Sequence, residues 1–365
     1  MNRFIEIFEL LPDPRASNSR HDLSEVLFIA FLATLCGATS CVDMEDFGLA
    51  KEELLRSFLM LKHGIPSHDT FSAVFRMVDP KAFEALFGQF MAEFGVAARL
   101  GKPKGVVAVD GKALRRAYAA GHSHMPKVMV SLWATQSRMT LASALAKDGD
   151  EAGAAVELIK LVALKGCIVT ADALHCHRAM AKSIVAQQGD YVLAVKNNQP
   201  GLLADAEALV EEAQARQPAN AHTADARHGR QETRHAIVAS AKHMAVKHDL
   251  PRLTAVARIT SRRGAEKPLE RYFLMSRSYT PEQVLSIVRA HWDIENGLHW
   301  TLDVVLDEDL ARNRKDHGPQ NLAVLRRLAL NIARAHPDTK TSMRLKLKRA
   351  GWNENFLFEL LAHMR

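Results

Sequence analysis

The sequence predicts an α/β protein: a mixed sheet flanked by helices, with an all-helical segment before it and a β-strand insertion within it. Three observations carry that prediction. Residues 1–90 place their apolar side chains at helical spacing. From residue 106 onward, short valine-rich runs alternate with helical stretches, the pattern of a sheet with helices on its faces. Between about residues 197 and 278 a polar helix and several strand-like runs interrupt that alternation.

The elements follow in order. Phe4 to Leu11 is a short amphipathic helix stopped by Pro12 and Pro14. Leu23 to Leu35 is an apolar run after Asp22, too short for a membrane span and suited to a buried helix. Glu45 to His63 reads as a third helix, and a short one follows Pro66-Ser67-His68-Asp69-Thr70. Another begins at Asp79-Pro80 with Phe83, Leu86, Phe87, Phe90 and Phe94 at helical spacing, a core stripe. Gly101 to Gly105 reads as a linker. Val106–Asp110, Val128–Ala134, Leu141–Leu145, Cys167–Asp172 and Tyr191–Lys196 read as strands, with helices at Ala154–Leu164 and His175–Gln188. The insertion holds a helix (Leu202–Ala215) and a small β-layer at Ala236–Ala239, Leu253–Ile259 and Tyr272–Met275. Thr280-Pro281-Glu282-Gln283 has capping-box spacing and starts a long helix through Glu295; a last helix spans Gln320 to His336. The expected organisation is a helical domain at 1–98, a catalytic domain at 104–336 containing the insertion, and a basic tail at 337–365.

Composition narrows the function. The chain has 365 residues, 48% hydrophobic and 24% charged, which is globular. It contains no run of 18 uncharged apolar residues and no signal-peptide layout, and its four cysteines are too scattered for a disulfide framework, so a reducing cytoplasm is expected. The net charge of +7 is uneven. Residues 1–100 hold 9 Lys/Arg and 14 Asp/Glu, whereas the chain from Leu310 onward holds 12 basic residues against 4 acidic ones. Excess positive charge on one portion favours a polyanion, nucleic acid first, although a solvated basic surface reads the same way.

Chemistry concentrates in three carboxylates. Asp110 and Asp172 each end an apolar strand-like run. On an ideal helix, Glu295 falls within the apolar face made by Ile287, Val288, Ile294, Leu298, Leu302 and Val305, with His291 and His299 one turn to either side. An ionised carboxylate in apolar surroundings needs compensation from an arginine, a protonated histidine or a metal ion. Converging carboxylates suit Mg²⁺, and two such ions can hold the attacking and leaving oxygens of a phosphodiester. Each residue also has an ordinary reading. Asp110-Gly111 is a common hairpin-turn pair, Asp172 could cap the next helix, and Glu295 could pair with Arg326, Arg327 or a histidine. His122/His124 and His175/His177, with Cys167 and Cys176, lack complete zinc spacing, and no Walker-type loop occurs.

Several motifs together resemble one family. Val109-Asp110-Gly111-Lys112-Ala113-Leu114-Arg115, Thr170-Ala171-Asp172-Ala173-Leu174-His175, Tyr191 to Pro200 (YVLAVKNNQP) and His291-Trp292-Asp293-Ile294-Glu295-Asn296 resemble the ISAs-type insertion-sequence transposases, which include the H-repeat-associated proteins. Gly64 to Phe71, His228 to Arg234 and Asn321 to Arg327 continue the match across nearly the whole chain. The resemblance implies a ribonuclease-H-like core, a β-strand insertion, an N-terminal transposase-associated domain, and the catalytic, metal-binding triad Asp110, Asp172 and Glu295. The wider superfamily often carries a Tyr-Arg-Glu-Lys pattern, and this chain has Val288, His291 and Leu302 at the Tyr, Arg and Lys places.

The implied activity is metal-dependent cleavage at insertion-sequence ends followed by strand transfer, with Mg²⁺ as cofactor and Mn²⁺ as substitute. The partners expected are double-stranded DNA, both terminal inverted repeats and target, and a second copy of the chain in a synaptic complex, with no membrane and a nucleoid-associated place in the cytoplasm. Candidate DNA contacts are Lys112, Arg115, Lys196, His291, His299, Arg326 and Arg327. The rival readings are a nuclease of the same fold that does not join, and a DNA-binding relic without catalysis.

Overall fold

A computed structural model describes residues 2–97, 105–119, 122–216, 221–227 and 230–362. The linker residues 101–104, the pair His228-Gly229 and the side chains of Phe94, His122 and His124 lie outside what is described. Six helices come first: α1 (Asn2–Glu9), α2 (Leu23–Leu35), α3 (Cys41–Ala50), α4 (Glu52–Arg56), α5 (His68–Met77) and α6 (Pro80–Ala97). Helix α2 starts where Asp22 accepts the Ser24 and Glu25 N–H groups at 2.8 and 3.2 Å. It is buried on every side, and Phe31 packs against Phe4 of α1 and Phe90 of α6. The single helix expected over Glu45–His63 is instead α3 and α4 followed by a turn in which Leu61 takes a positive φ of 44°.

The sheet begins with β1 (Gly105–Ala119), β2 (His122–Ala134) and β3 (Met139–Leu145), antiparallel neighbours. Strand β1 runs straight through Asp110-Gly111, opposite Ser131 and Val130, so the hairpin reading of that pair falls. Helix α7 (Glu151–Lys160) leads to β4 (Cys167–Ala171), parallel to β1, and α8 (Arg178–Ala186) leads to β5 (Asp190–Val195), parallel to β4. The insertion carries α9 (Pro200–Arg216), β6 (Ala221–Arg227), β7 (Arg230–Ser240), α10 (Met244–Lys247), β8 (Ala255–Arg263) and β9 (Leu269–Met275). It makes no separate layer. Strand β9 pairs antiparallel with the free edge of β5, giving a nine-stranded order β3-β2-β1-β4-β5-β9-β8-β7-β6 among the described residues. The first five strands have the ribonuclease-H-like arrangement, with three parallel strands at the centre and an antiparallel meander on one side.

After the sheet come α11 (Pro281–His291), a wide π-helical turn (Ile294–His299), α12 (Trp300–Val305), α13 (Gly318–Ala335), α14 (Met343–Trp352) and α15 (Glu354–Leu361). The capping box at Thr280 and Gln283 is formed in both directions. Residues beyond 337 are largely helical, and Leu347, Phe356, Leu357 and Leu360 join the same core as α2. One face of the sheet is covered by α7, α8 and α9; the other packs on α11 and on the helical core around α13.

Helix α13 ties the helical part to the sheet. Its Asn321 amide donates to the Phe75 and Val78 carbonyls at the end of α5, both at 2.9 Å. Its Asn331 accepts from Thr140 N–H at 3.0 Å and donates to Thr140 C=O at 2.8 Å, occupying an edge position of β3 that would otherwise invite another strand. Arg327 is fully buried, donating to Glu308 at 3.0 Å, Ser131 Oγ at 3.2 Å and the Ala323 carbonyl at 2.9 Å. Glu308 is equally buried. Breaking such a pair leaves an uncompensated buried charge, so we expect Arg327→Met to lower the unfolding free energy by about 3–5 kcal/mol. Urea unfolding checks this. Unchanged stability with weakened DNA binding would return Arg327 to the DNA surface.

Candidate active site

Strand alternation decides where the acids point. In β1, Val107 and Val109 enter the core under α7 and α8, whereas Val106 and Ala108 face the side of α11. Asp110 shares the latter parity. In β4, Cys167, Val169 and Ala171 likewise enter the α7–α8 core, leaving Thr170 and then Asp172 on the α11 side. The parallel register pairs Val109 with Ala171, so Asp110 and Asp172 are the next residues on neighbouring strands. Such strands lie about 4.8 Å apart. Asp110, Asp172 and Glu295 line one pocket of about 230 Å³ with Thr170, Lys196, Arg271, His291 and Trp292.

Glu295 reaches that pocket by a route the ideal helix does not offer. It is exposed, not set in an apolar face. The wide turn closes with Trp300 N–H bonding the Glu295 carbonyl, five residues back, and so shifts the helical register. Before the turn, Val284, Leu285 and Ile287 pack on the sheet; after its start, Ile294, Leu298 and Leu302 enter the core around α13. Glu295 sits where the helix passes from one core to the other.

The acid held in a dry setting is Asp110. Burial first, and then the charges of Asp172, Glu295 and Glu151, push its carboxyl up to about 7, although Gly111 N–H donates to it at 2.9 Å. Asp172 accepts Leu174 N–H at 3.0 Å, capping a short 3₁₀ turn, so its capping role and its place in the pocket coexist. The nearby imidazoles supply no compensating charge near neutral pH. His299 Nδ1 lies 3.7 Å from Asp110, yet burial, Arg327 and Lys112 hold its pKa near 3. His291 meets Thr170 Oγ1 at 3.0 Å, and burial holds its pKa near 4. Burial lowers His175 as well. Of the compensators weighed from sequence, protonated histidine is thereby removed. The donor set is all oxygen and mutually repelling, which fits a hard divalent cation. Among the described residues, no three His, Cys, Asp or Glu side chains already close around a single ion position.

The sequence-derived DNA contacts divide in two. Lys196 is exposed at the end of β5 and lines the pocket with His291. Arg115 is exposed, with Nε 3.0 Å from Asp309. Lys112, Arg326 and Arg327 require correction. Lys112 is 7% exposed and bridges Asp303 at 2.7 Å and Asp309 at 2.8 Å; Arg326 is 3% exposed and donates to the Thr39 carbonyl; Arg327 is held by Glu308. Their charges are spent inside the fold, where no phosphate can reach.

Sequence reasoning missed three residues. Glu151, on the first turn of α7, lies so close to Gly111 that a Cβ there would collide with its carboxylate. An acidic residue at a helix start is ordinary, which hid it. Arg271 and Trp292 form a cation–π pair at 5.2 Å beside Glu295. Both also line an adjoining groove of about 400 Å³ with Arg234, Arg263, Lys267 and Arg289.

Comparison with known proteins follows the same division of the chain. Residues 101–332 match the family model described as the transposase DDE domain, and residues 5–91 match its associated domain. Escherichia coli K12 protein YbfL is 30% identical over 99% of this chain and 98% of its own length. The H repeat-associated candidate transposase YhhI of the same organism is 28% identical over the same shares. A solved piggyBac transposase synaptic complex with hairpin DNA is a distant neighbour, with TM-score 0.46 and 13% identity, covering 100% of this chain and 77% of that one.

The raised Asp110 value has a measurable consequence. Metal-free and folded, Asp110 keeps its proton up to about pH 7, whereas the ordinary value is 3.8. Folding therefore takes up a proton between those values, and stability falls as pH rises through that window. The contribution is at most about 4 kcal/mol. In chelator, Asp110→Asn should match wild type near pH 4 and exceed it at pH 8 in urea unfolding. A difference independent of pH would contradict the assignment.

Proposed function

The chain belongs to the DDE transposase family, and from that premise we propose that it cleaves DNA at the ends of an insertion sequence and joins the freed ends to target DNA, with Asp110, Asp172 and Glu295 as catalytic carboxylates. The observation that carries this reading is their convergence: two acids side by side just past the β1–β4 pairing, on one face, and a glutamate brought to the same pocket by a break in helical register.

The three carboxylates would hold Mg²⁺, or Mn²⁺ in its place. Bound there, the ions supply charge neutralisation at the phosphodiester and lower the pKa of the attacking water or 3′-hydroxyl. The protein fixes the acids first. Gly111 N–H orients one oxygen of Asp110, and neutral His299 stands beside the other. Leu174 N–H orients Asp172. Thr170 holds the His291 ring against the pocket wall. Lys196 would meet a phosphate, and the adjoining groove, where Arg263, Lys267, Arg271 and Arg289 outnumber Glu232 and Glu266, would carry the DNA backbone away from the cut. Burial and the neighbouring Arg263 and Arg234 lower the Arg271 pKa, a mutual repulsion that an anion would relieve.

On this reading residues 104–336 form the catalytic domain, with the segment 197–278 as its insertion and 1–98 as an associated helical domain. Terminal inverted repeats and target are the DNA partners, two copies of the chain hold the paired ends, and the site of action is the nucleoid.

Purified protein with labelled inverted-repeat ends should give nicks that require Mg²⁺ or Mn²⁺, then joined products. Asp110→Ala, Asp172→Ala and Glu295→Ala should each lower cleavage on the order of 10³-fold or more while retaining salt-dependent DNA binding. Full cleavage by any of the three would end the assignment. Cleavage without joining would reduce the activity to that of a nuclease.

A further inference from the structure

We propose that Arg334, stacked on Trp133, is a positioning residue that holds the wide turn Ile294–His299 in the shape that presents Glu295 to the pocket. This rests on Glu295 being the third catalytic carboxylate.

A π-helical turn is rare and needs support from outside the helix. The local sequence favours no regular helix either, since Asn296 and especially Gly297 are poor helix formers. The support comes from one buried aromatic–cation pair. Trp133, in β2, is fully buried, and its Nε1 donates to Asp293 Oδ2 at 2.9 Å, just before the turn. Arg334, from α13, places its guanidinium carbon 4.6 Å from the centre of the Trp133 ring. Its Nη2 donates to the Gly297 carbonyl in the middle of the turn and lies 3.4 Å from Thr301 Oγ1 just after it. Thr301 Oγ1 donates to the same carbonyl at 2.6 Å. Arg138 approaches Asp293 from outside at 3.7 Å.

Residues before, within and after the turn are thus tied to a single pair contributed by the sheet and α13. Gly297 is closely packed: a Cβ there would stand 3.0 Å from Arg138 Nη2, 3.2 Å from Asp293 Oδ2 and 3.2 Å from Trp133 Cζ2, so those neighbours would have to give by a few tenths of an ångström. Neither Trp133 nor Arg334 lines the pocket. Whatever they contribute reaches the chemistry through the backbone that carries Glu295. Misplacing a reacting group by about 1 Å can cost on the order of 10²-fold in rate.

The test compares Trp133→Phe, Gly297→Ala and Arg334→Lys with wild type and with Glu295→Gln. Trp133→Phe keeps an aromatic ring and removes the indole donor, so it guards against simple unfolding of the arginine variant. Four quantities are read: kcat and KM for cleavage of end DNA, the MnCl₂ concentration giving half-maximal cleavage, and the rise in melting temperature caused by MnCl₂ without DNA. The positioning role predicts kcat lower by about 10–100-fold. It also predicts an unchanged KM for DNA, a raised MnCl₂ midpoint and a smaller MnCl₂-induced rise in melting temperature. Lower melting temperature with unchanged kcat and MnCl₂ midpoint would make the pair merely structural and overturn the proposal. Glu295→Gln separates the two levels. If it is inactive while the three variants keep wild-type kcat and metal response, the positioning role fails and the triad stands; if it cleaves normally, the triad itself fails.

Discussion

Like charges gathered just past the last pairing of two neighbouring parallel strands are the constraint on which the rest of the structure depends. Asp110 and Asp172 follow directly from the register of β1 and β4, and the other two acids, Glu295 and Glu151, arrive from helices on opposite faces of the sheet. A sheet core has no internal means of neutralising such a group, because hydrophobic packing offers nothing to a carboxylate. The surrounding imidazoles are too dry to ionise near neutral pH, and Lys112, one alternate position along β1 from Asp110, is already taken by Asp303 and Asp309. Lys196 and Arg271 are the cations that line the same pocket, and a divalent ion from outside the chain would complete the balance. An enzyme that must draw cations and a phosphodiester to one point has reason to be built this way.

The helix that brings Glu295 meets a second constraint. It must pack on the sheet through Val284, Leu285 and Ile287 and, a few residues later, on the helical core through Ile294, Leu298 and Leu302. These two surfaces do not lie on one face of a regular helix with Glu295 turned outward between them. The inserted residue of the wide turn resolves the conflict. Consequently the functional residue sits at a local break in regularity, where a helix is least able to hold itself and most dependent on its neighbours.

Much of this architecture is legible in the sequence. Strand periodicity located β1, β4 and β5, with Asp172 just past β4 but Asp110 inside a β1 that runs on to Ala119, while Asp22 and the pair Thr280/Gln283 announced helix starts that formed as expected. The failures have physical causes. Period-3.6 reasoning assumes an uninterrupted helix, so it set Glu295 in an apolar face; the available hint was Asn296-Gly297, a poor pair for mid-helix. The insertion was read as a separate layer because periodicity identifies strands but not their partners, and the partner of β9 proved to be the open edge of β5. Glu151 escaped notice because its closeness to Gly111 depends on how α7 crosses the sheet, which no local pattern encodes.

The two misassigned arginines show that a basic residue in a matching motif need not face DNA. Arg326 and Arg327 were candidate DNA contacts, yet they lie with Arg334 within α13, a helix buried along most of its length. There each guanidinium does what a long rigid fork does well in an interior: it collects carbonyls and a carboxylate from segments that are distant in sequence. One consequence reaches the pocket. Burial first, and then Arg327 and Lys112, depress His299 and keep it uncharged beside Asp110. Arg263 and Lys267 in the groove, and Arg312, Arg314, Lys340, Arg344 and Lys348 later in the chain, are exposed to solvent, where a polyanion would meet them.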